Sequence, residues 1–477
     1  MKRIVFSVVM LLGLLCGTTA SAVKLPDIFS DNMVLQQQSN AKLWGWSKAG
    51  STVTVKTSWN NAKYTAKAGS NGRWELTVAT PKASFDEQTI TFSDAEGKTT
   101  LKNVMIGEVW LCSGQSNMEM PLDGFWTQPI EGSNQAIAYS GQYKGLRMAT
   151  IPKRGSAVPE DSVSGKWKTS CPENAARFGA VAYFFAETLT KLLNVPIGII
   201  NCSWGGSTVE GWLSKEWLQK YPDVDLKQVT PTNVSGMSEP MIMYNGQLHP
   251  IIGYTIKGIA WNQGESNVGL DKTYAQHLAD MVKEWREEWG EGNLPFYMVE
   301  IPPYIYSGEN NTEAALLRES QHKSAKMIGN CGVVSTIDLM KPYETNDIHG
   351  SRKQPIGERL GFMAAAKTYG MNGIACESPE FESMKIDGKT ATLHFSNASD
   401  GFTPNRDLKG FEVAGSDSVF HAAHADEIFD TRDIKLTCNE VDKIVAVRYC
   451  FKNWEIGTVH SMRWLPLVPF RTDNWSK

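Results

Sequence analysis

The sequence lacks the marks of a disulfide scaffold, a metal site or a nucleic-acid binder. Its eight cysteines form no C-x-x-C pair and no Cys/His cluster at zinc-ligand spacing, so no metal and no cofactor is expected. The formal charge is only −4, from 47 basic and 51 acidic side chains, and no basic stripe is present, which argues against a nucleic-acid partner. Beyond the first two dozen residues no run is apolar enough to insert into a membrane. No internal repeat or low-complexity segment stands out. With 42% hydrophobic and 21% charged residues the composition is that of a folded globular chain, which excludes wholesale disorder and collagen-like repeats. The single excess is tryptophan, at 16 residues. Most Trp are core, although aromatic surfaces also suit sugar rings.

The start of the chain reads as an export signal. Lys2 and Arg3 supply a positive region, Ile4 to Cys16 an apolar one, and Ala20-Ser21-Ala22 a cleavage site of the A-x-A type. Residues 1–22 are therefore expected to be removed and the product to be periplasmic or extracellular. Removal takes two positive charges, leaving 45 − 51 = −6. Seven cysteines then remain, an odd number over a long chain. Several sit in apolar runs, as Cys112 and Cys202 do, and read as small buried hydrophobes. Cys438 and Cys450 are the pair to test for a disulfide.

The 477 residues suit about three domains. Residues 23–105 carry short alternating runs such as Ala41–Trp46, Thr52–Lys56 and Arg73–Val78, the last preceded by an Asn71-Gly72 turn. They predict an N-terminal β-sandwich. Over 106–375 strands alternate with helices, the pattern of a parallel α/β sheet. Strands are expected at Glu108–Cys112, Ile197–Cys202, Ile256–Trp261, Phe296–Ile301 and Val333–Ile337. Helices are expected at Ala180–Leu193, Tyr274–Trp289, Glu313–Ile328 and about Pro355–Thr368. That makes a doubly wound, three-layer α/β/α domain. Over 376–477 strands return at Thr390–Phe395, Lys409–Val413 and Lys443–Phe451, predicting a second β domain; the linkers near 105 and 375 are short.

Open α/β sheets carry their sites at the carboxyl ends of the strands. Four expected strand ends are followed by Ser113-Gly114-Gln115-Ser116-Asn117-Met118, by Ser203-Trp204-Gly205-Gly206-Ser207, by Asn262-Gln263-Gly264-Glu265-Ser266-Asn267, and by Asp338 with Asp347-Ile348-His349-Gly350. Together these are the parts of a hydrolase with a serine nucleophile. Ser116 is the candidate nucleophile, although a Ser there could equally cap a helix. Met118 stands where the G-x-S-x-G elbow needs its last glycine, which argues against an ordinary α/β-hydrolase. His349 alone among the eight histidines joins such a loop location to a carboxylate two residues earlier, Asp347. Gly205 and Gly206 can bring backbone N–H groups close to an oxyanion, or simply make a tight turn. Gln263 or Asn267 could add a side-chain N–H. Glu265 would oppose an oxyanion, so it is expected to orient Ser116 or Gln263 or to bind substrate hydroxyls.

The block Gly107–Met118 resembles the nucleophile block of the sialate O-acetylesterase family, within the SGNH hydrolases. The likeness continues through Trp204-Gly205-Gly206, Tyr244-Asn245-Gly246, Trp261–Asn267 and Asp347-Ile348-His349, and it reaches both ends, at Leu25–Gln36 and Val447-Arg448-Tyr449. It implies an SGNH-type catalytic domain flanked by two β-sandwich domains, and a metal-free carbohydrate esterase. Ser116 would be the nucleophile, His349 the base and Asp347 its orienter. The N–H groups of Ser116 and of Gly205 or Gly206, with the Gln263 amide, would form the oxyanion hole. The substrate implied is an O-acetylated sugar, sialic acid first and acetylated xylan or xyloglucan as the rival; a non-catalytic glycan-binding protein is the competing class. This sequence departs from the family in three places. Asp347 precedes His349 by two residues where three is usual, so Asp338 or Glu265 could be the orienter instead. Gly350 is often Pro, and Asn262 often Tyr. A sialic acid carboxylate would profit from a bidentate arginine, for which Arg318 and Arg352 are the candidates.

Overall fold

The computed structural model describes residues 23–475. The expected signal peptide, residues 1–22, lies outside the described residues. The protein is an α/β fold built on a sheet whose main path runs Cys331–Val334, Phe296–Val299, Gly258–Asn262, Lys98–Gly114, Ile197–Ser203, Leu146–Thr150, Trp167–Thr169. Every neighbouring pair on this path is parallel except the last. The near-continuous apolar runs follow from burial on both faces. Along Lys98–Gly114, Val109 and Leu111 join one core and Trp110 and Cys112 the other. Helices Asp271–Trp289 and Glu313–Ile328 cover the first face through Leu278, Trp285 and Leu317; Ala180–Leu193 and Gln354–Lys367 cover the second through Phe184, Leu189 and Leu360. Asn194 ends its helix in the left-handed conformation and donates to the Thr190 carbonyl at 3.1 Å, as the Asn-Val-Pro sequence suggests.

Lys98–Gly114 is 17 residues long. Its first half pairs with Ser84–Ser93, Met105–Gly107 pair with Val34–Gln36, and its second half is the middle of the main sheet path. Residue 105 lies inside this strand, so no linker stands there. On the main path of the sheet two strands were not expected, Leu146–Thr150 and Trp167–Thr169, and the strand expected at Val333–Ile337 is Cys331–Val334.

Toward the C-terminus two four-stranded sheets share one core through Leu393, Phe395, Val413, Val447 and Tyr449. Ile337, from just beyond the strand Cys331–Val334, is part of that core. The two regions are further joined by Ala314 N donating to Asn453 Oδ1 at 2.9 Å and by Arg471 pairing with Glu319 at 2.8 Å. All seven described cysteines are free thiols, Cys438 and Cys450 included.

Candidate active site

The strand ends bring the first three motifs into direct contact. Gly114 has φ +134°, and a Cβ there would lie 2.1 Å from the Asn262 carbonyl oxygen, so only glycine lets the two strand ends meet. The next residue ties them: Gln115 N donates to Asn262 O at 2.9 Å, and Gln115 Oε1 accepts from Gly264 N at 3.1 Å. Ser116 opens the short helix Ser116–Glu119, where its N–H has no intrahelical acceptor. Gly205 lies against it; a Cβ on Gly205 would be 3.2 Å from the Ser116 Cβ.

The fourth motif is joined to the first through Asn117, whose Nδ2 donates to the Ile348 carbonyl at 3.1 Å and also to Glu265 Oε1. His349 is thereby held next to the Ser116 loop. Its imidazole partner is Gln128: His349 Nδ1 and Gln128 Oε1 are 2.8 Å apart. Asp347 does not reach the ring. Its Oδ1 accepts the His349 backbone N–H and Gln128 Nε2, both at 2.9 Å. A carboxylate can only accept, so Gln128 must turn its NH₂ to Asp347 and its oxygen to His349. His349 then carries its proton on Nδ1 and leaves Nε2 a free lone pair. The Phe125 ring packs edge-on against the imidazole at 5.3 Å. Burial, and then the nearby Lys353 ammonium, hold the His349 pKa down to about 4 against the opposing pull of Asp347.

Lys353 is only 2% exposed. Its Nζ donates to Asn117 Oδ1 at 2.5 Å. One amide thus clamps three loops, accepting from Lys353 and donating to Glu265 and to the His349 loop. Burial lowers the Lys353 pKa to about 8 despite the attraction of Glu265, Asp347 and Glu344. Burial likewise raises that of Glu265, against the hydrogen bond from Asn117 and the charge of Lys353. Removing one member of such a buried set leaves the other charge uncompensated. Lys353→Met is expected to lower the unfolding free energy by about 3 kcal/mol, and Lys353→Met/Glu265→Gln to recover part of it, measured by denaturant titration. A double variant no more stable than the single one would mean that the two charges do not compensate each other.

Several expected roles are corrected. Asp338 is no orienter of His349: Arg359 grips its carboxylate at 2.8 and 2.6 Å and His460 lies 3.2 Å away, and despite burial these partners hold its pKa down to about 2. Glu265 is buried and bonds Asn117; neither Ser116 nor Gln263 is its hydrogen-bond partner. Gln263 cannot serve the oxyanion, because its NH₂ is spent on Ser207 O at 3.0 Å and Asn267 Oδ1 at 2.7 Å. Asn267 is fully buried and donates to Glu210. Arg318 is buried and donates to the Lys452 carbonyl of the C-terminal region. Arg352 turns to the Asp338 carbonyl, 3.4 Å away. The Gly205 N–H donates to Glu119 Oε2 at 2.6 Å, while Lys153 pairs with the same carboxylate at 2.6 Å. Gly206 has φ +80° and lies under Met237. Sequence reasoning missed Gln128, Glu119 and Lys353, and gave Asn117 no role. Lys353 carried the one usable signal, standing four residues after His349.

Among the described residues no group of three or more His, Cys, Asp or Glu is placed to hold a metal ion, and no helix is long and apolar enough to cross a membrane.

Residues 106–367 match the family model of carbohydrate esterases described as sialic acid-specific acetylesterase. The chain is 26% identical to a sialate O-acetylesterase of Pongo abelii over 92% of this chain and 91% of that protein. It is 25% identical to the human sialate O-acetylesterase over the same shares. Its structure superposes on that of a carbohydrate acetylesterase from Xanthomonas citri with a TM-score of 0.84 at 32% identity, covering 95% of this chain and 100% of the other.

Proposed function

The chain belongs to the carbohydrate esterase family of sialic acid-specific acetylesterases, and on that premise we propose that it works through Ser116 and His349 with Gln128 as the orienting group. The protein is a carboxylic ester hydrolase that removes O-acetyl groups from sugars. The observation that carries the residue assignment is the Asp347–Gln128–His349 chain of hydrogen bonds, which leaves His349 Nε2 unprotonated beside the Ser116 loop.

In the first step His349 Nε2 takes the Ser116 hydroxyl proton as Oγ attacks the acetyl carbonyl. The backbone N–H groups of Ser116 and Gly206 receive the oxyanion, since that of Gly205 is held by Glu119. Collapse expels the sugar alkoxide, which takes the proton back from His349, and leaves an acetyl-serine. Water, deprotonated by the same nitrogen, then releases acetate and restores Ser116. A neutral amide behind the imidazole stabilises the imidazolium less than a carboxylate would, in line with a base that resists protonation.

The reading is tested by acetate release from O-acetylated sialic acid and from acetylated xylan or xyloglucan oligosaccharides. Turnover of at least one is expected; none on any would defeat it. The His349 pKa gives a further expected result. The acid limb of kcat/KM should fall through about pH 4 and not near 6.5. The Lys353 ammonium disfavours an imidazolium, so Lys353→Met should move that limb upward. A limb that stays in place in the variant would remove Lys353 from the control of the base. The positive, apolar start of the sequence supports export of the enzyme.

A further inference from the structure

We propose that Trp126 is a stacking platform for a neutral pyranose ring adjoining the acetylated sugar, so that the enzyme acts on esters carried by oligosaccharides in preference to free monosaccharides. The inference rests on the reading of Ser116 and His349 as the reacting pair and adds a binding subsite to it.

Trp126 is 92% exposed, more than any other large apolar side chain among the described residues. Single exposed apolar residues are common on protein surfaces, so exposure alone says little. Its anchorage distinguishes this one. Phe125 and Gln128 exchange backbone hydrogen bonds, each N–H donating to the other's carbonyl at 3.1 Å. Trp126 and Thr127 are therefore the two residues at the tip of a closed turn, with Thr127 at φ +60°. The two residues that close it are the two that touch the imidazole: Phe125 packs on the ring and Gln128 bonds its Nδ1. The foot of the loop is fixed as well, by Leu122 N to Phe178 O and Asp123 N to Ala176 O, both at 3.0 Å. The indole is thus held out to solvent next to the base, on a support that ordering by a ligand need not create.

A solvent-facing indole offers a flat apolar face, the complement of the C–H face of a sugar ring. Charge recognition is not what this rim provides. Arg177 pairs with Asp123 at 2.9 Å, Lys153 with Glu119 at 2.6 Å, and Lys341 with Glu131. A neutral ring fits such a surface better than an anionic one. Because the turn abuts His349 and not the Gly205 side, the ring it holds is a neighbour of the sugar whose ester is cleaved.

The test compares wild type and Trp126→Ala on two matched pairs: O-acetylated xylose against O-acetylated xylotetraose, and O-acetylated sialic acid against O-acetylated sialyllactose. Wild type is expected to favour the longer member of at least one pair by about tenfold in kcat/KM, mostly through KM. Trp126→Ala should erase that ratio and Trp126→Phe keep most of it. Wild type without a length preference, or a preference that survives in Trp126→Ala, overturns the platform while leaving the esterase reading intact. An equal loss by Trp126→Ala on p-nitrophenyl acetate also overturns it, since the indole would then support the His349 loop and not a sugar. Hydrolysis of p-nitrophenyl acetate by wild type with no acetate from any of the four sugars defeats the reading of these sugars as substrates, and the platform falls with it.

Discussion

Ser116→Ala is expected to reduce p-nitrophenyl acetate hydrolysis on the order of 10³-fold or more, the usual loss when a nucleophile is removed from a coupled triad. The fold should not suffer. The surrounding contacts are made by Gln115, Asn117 and the backbone, among them Met120 N to Ser116 O at 2.8 Å, and all of these survive in alanine. A melting temperature within a degree or two of wild type is the companion measurement. Residual activity within tenfold of wild type would show that another group attacks the ester. The acetyl-enzyme gives a second readout: mass spectrometry of wild type quenched during turnover should find the acetyl group on Ser116, and in the variant on no serine.

The second large effect separates Gln128 from Asp347. If Asp347 oriented the imidazole directly, Asp347→Asn would impose the wrong tautomer and cost on the order of 10⁴-fold. The geometry sets a different expectation. One oxygen, Oδ1, accepts both the His349 N–H and Gln128 Nε2, and an asparagine can present that same oxygen. Asp347→Asn should therefore keep activity within about tenfold of wild type, whereas Gln128→Ala, which strips Nδ1 of its acceptor, should lower kcat by about 10²-fold. The reverse ranking would mean that Asp347 reaches the ring during turnover.

Much of the catalytic sheet was legible because its strands are runs of apolar residues bounded by turn signals, and because Ala180–Leu193 is a long run closed by Asn194-Val195-Pro196. Leu146-Arg147-Met148-Ala149-Thr150 escaped notice since it is short and has a single β-branched residue, Thr150, at its end. The nucleophile loop was visible in the order of residues at the strand ends. The orienting group was not, for two reasons. Asp347 stands two residues before His349, the spacing at which an aspartate side chain is drawn to the backbone N–H, and that local bond won over the imidazole. Gln128 comes from an irregular loop 221 residues earlier, and an amide leaves no charge pattern to find. Gln263, Asn267 and Arg318 failed for a third reason. Position after a strand or on a helix does not reveal which way a polar side chain turns, and these turn inward to buried partners.

The long strand Lys98–Gly114 has a consequence for how the chain folds. Its first half finds its partner, Ser84–Ser93, through a short hairpin, whereas its second half waits for Ile197–Ser203 and Gly258–Asn262, roughly 90 and 150 residues downstream. Local pairing is fast and such distant pairing slow, because a long loop must close before the contacts reward it. The hairpin would therefore form first and present the outgoing end of the same strand as a preordered template for the central sheet. Since one backbone belongs to both, neither half can melt without fraying the other, and the N-terminal β region and the catalytic sheet should unfold in a single cooperative transition.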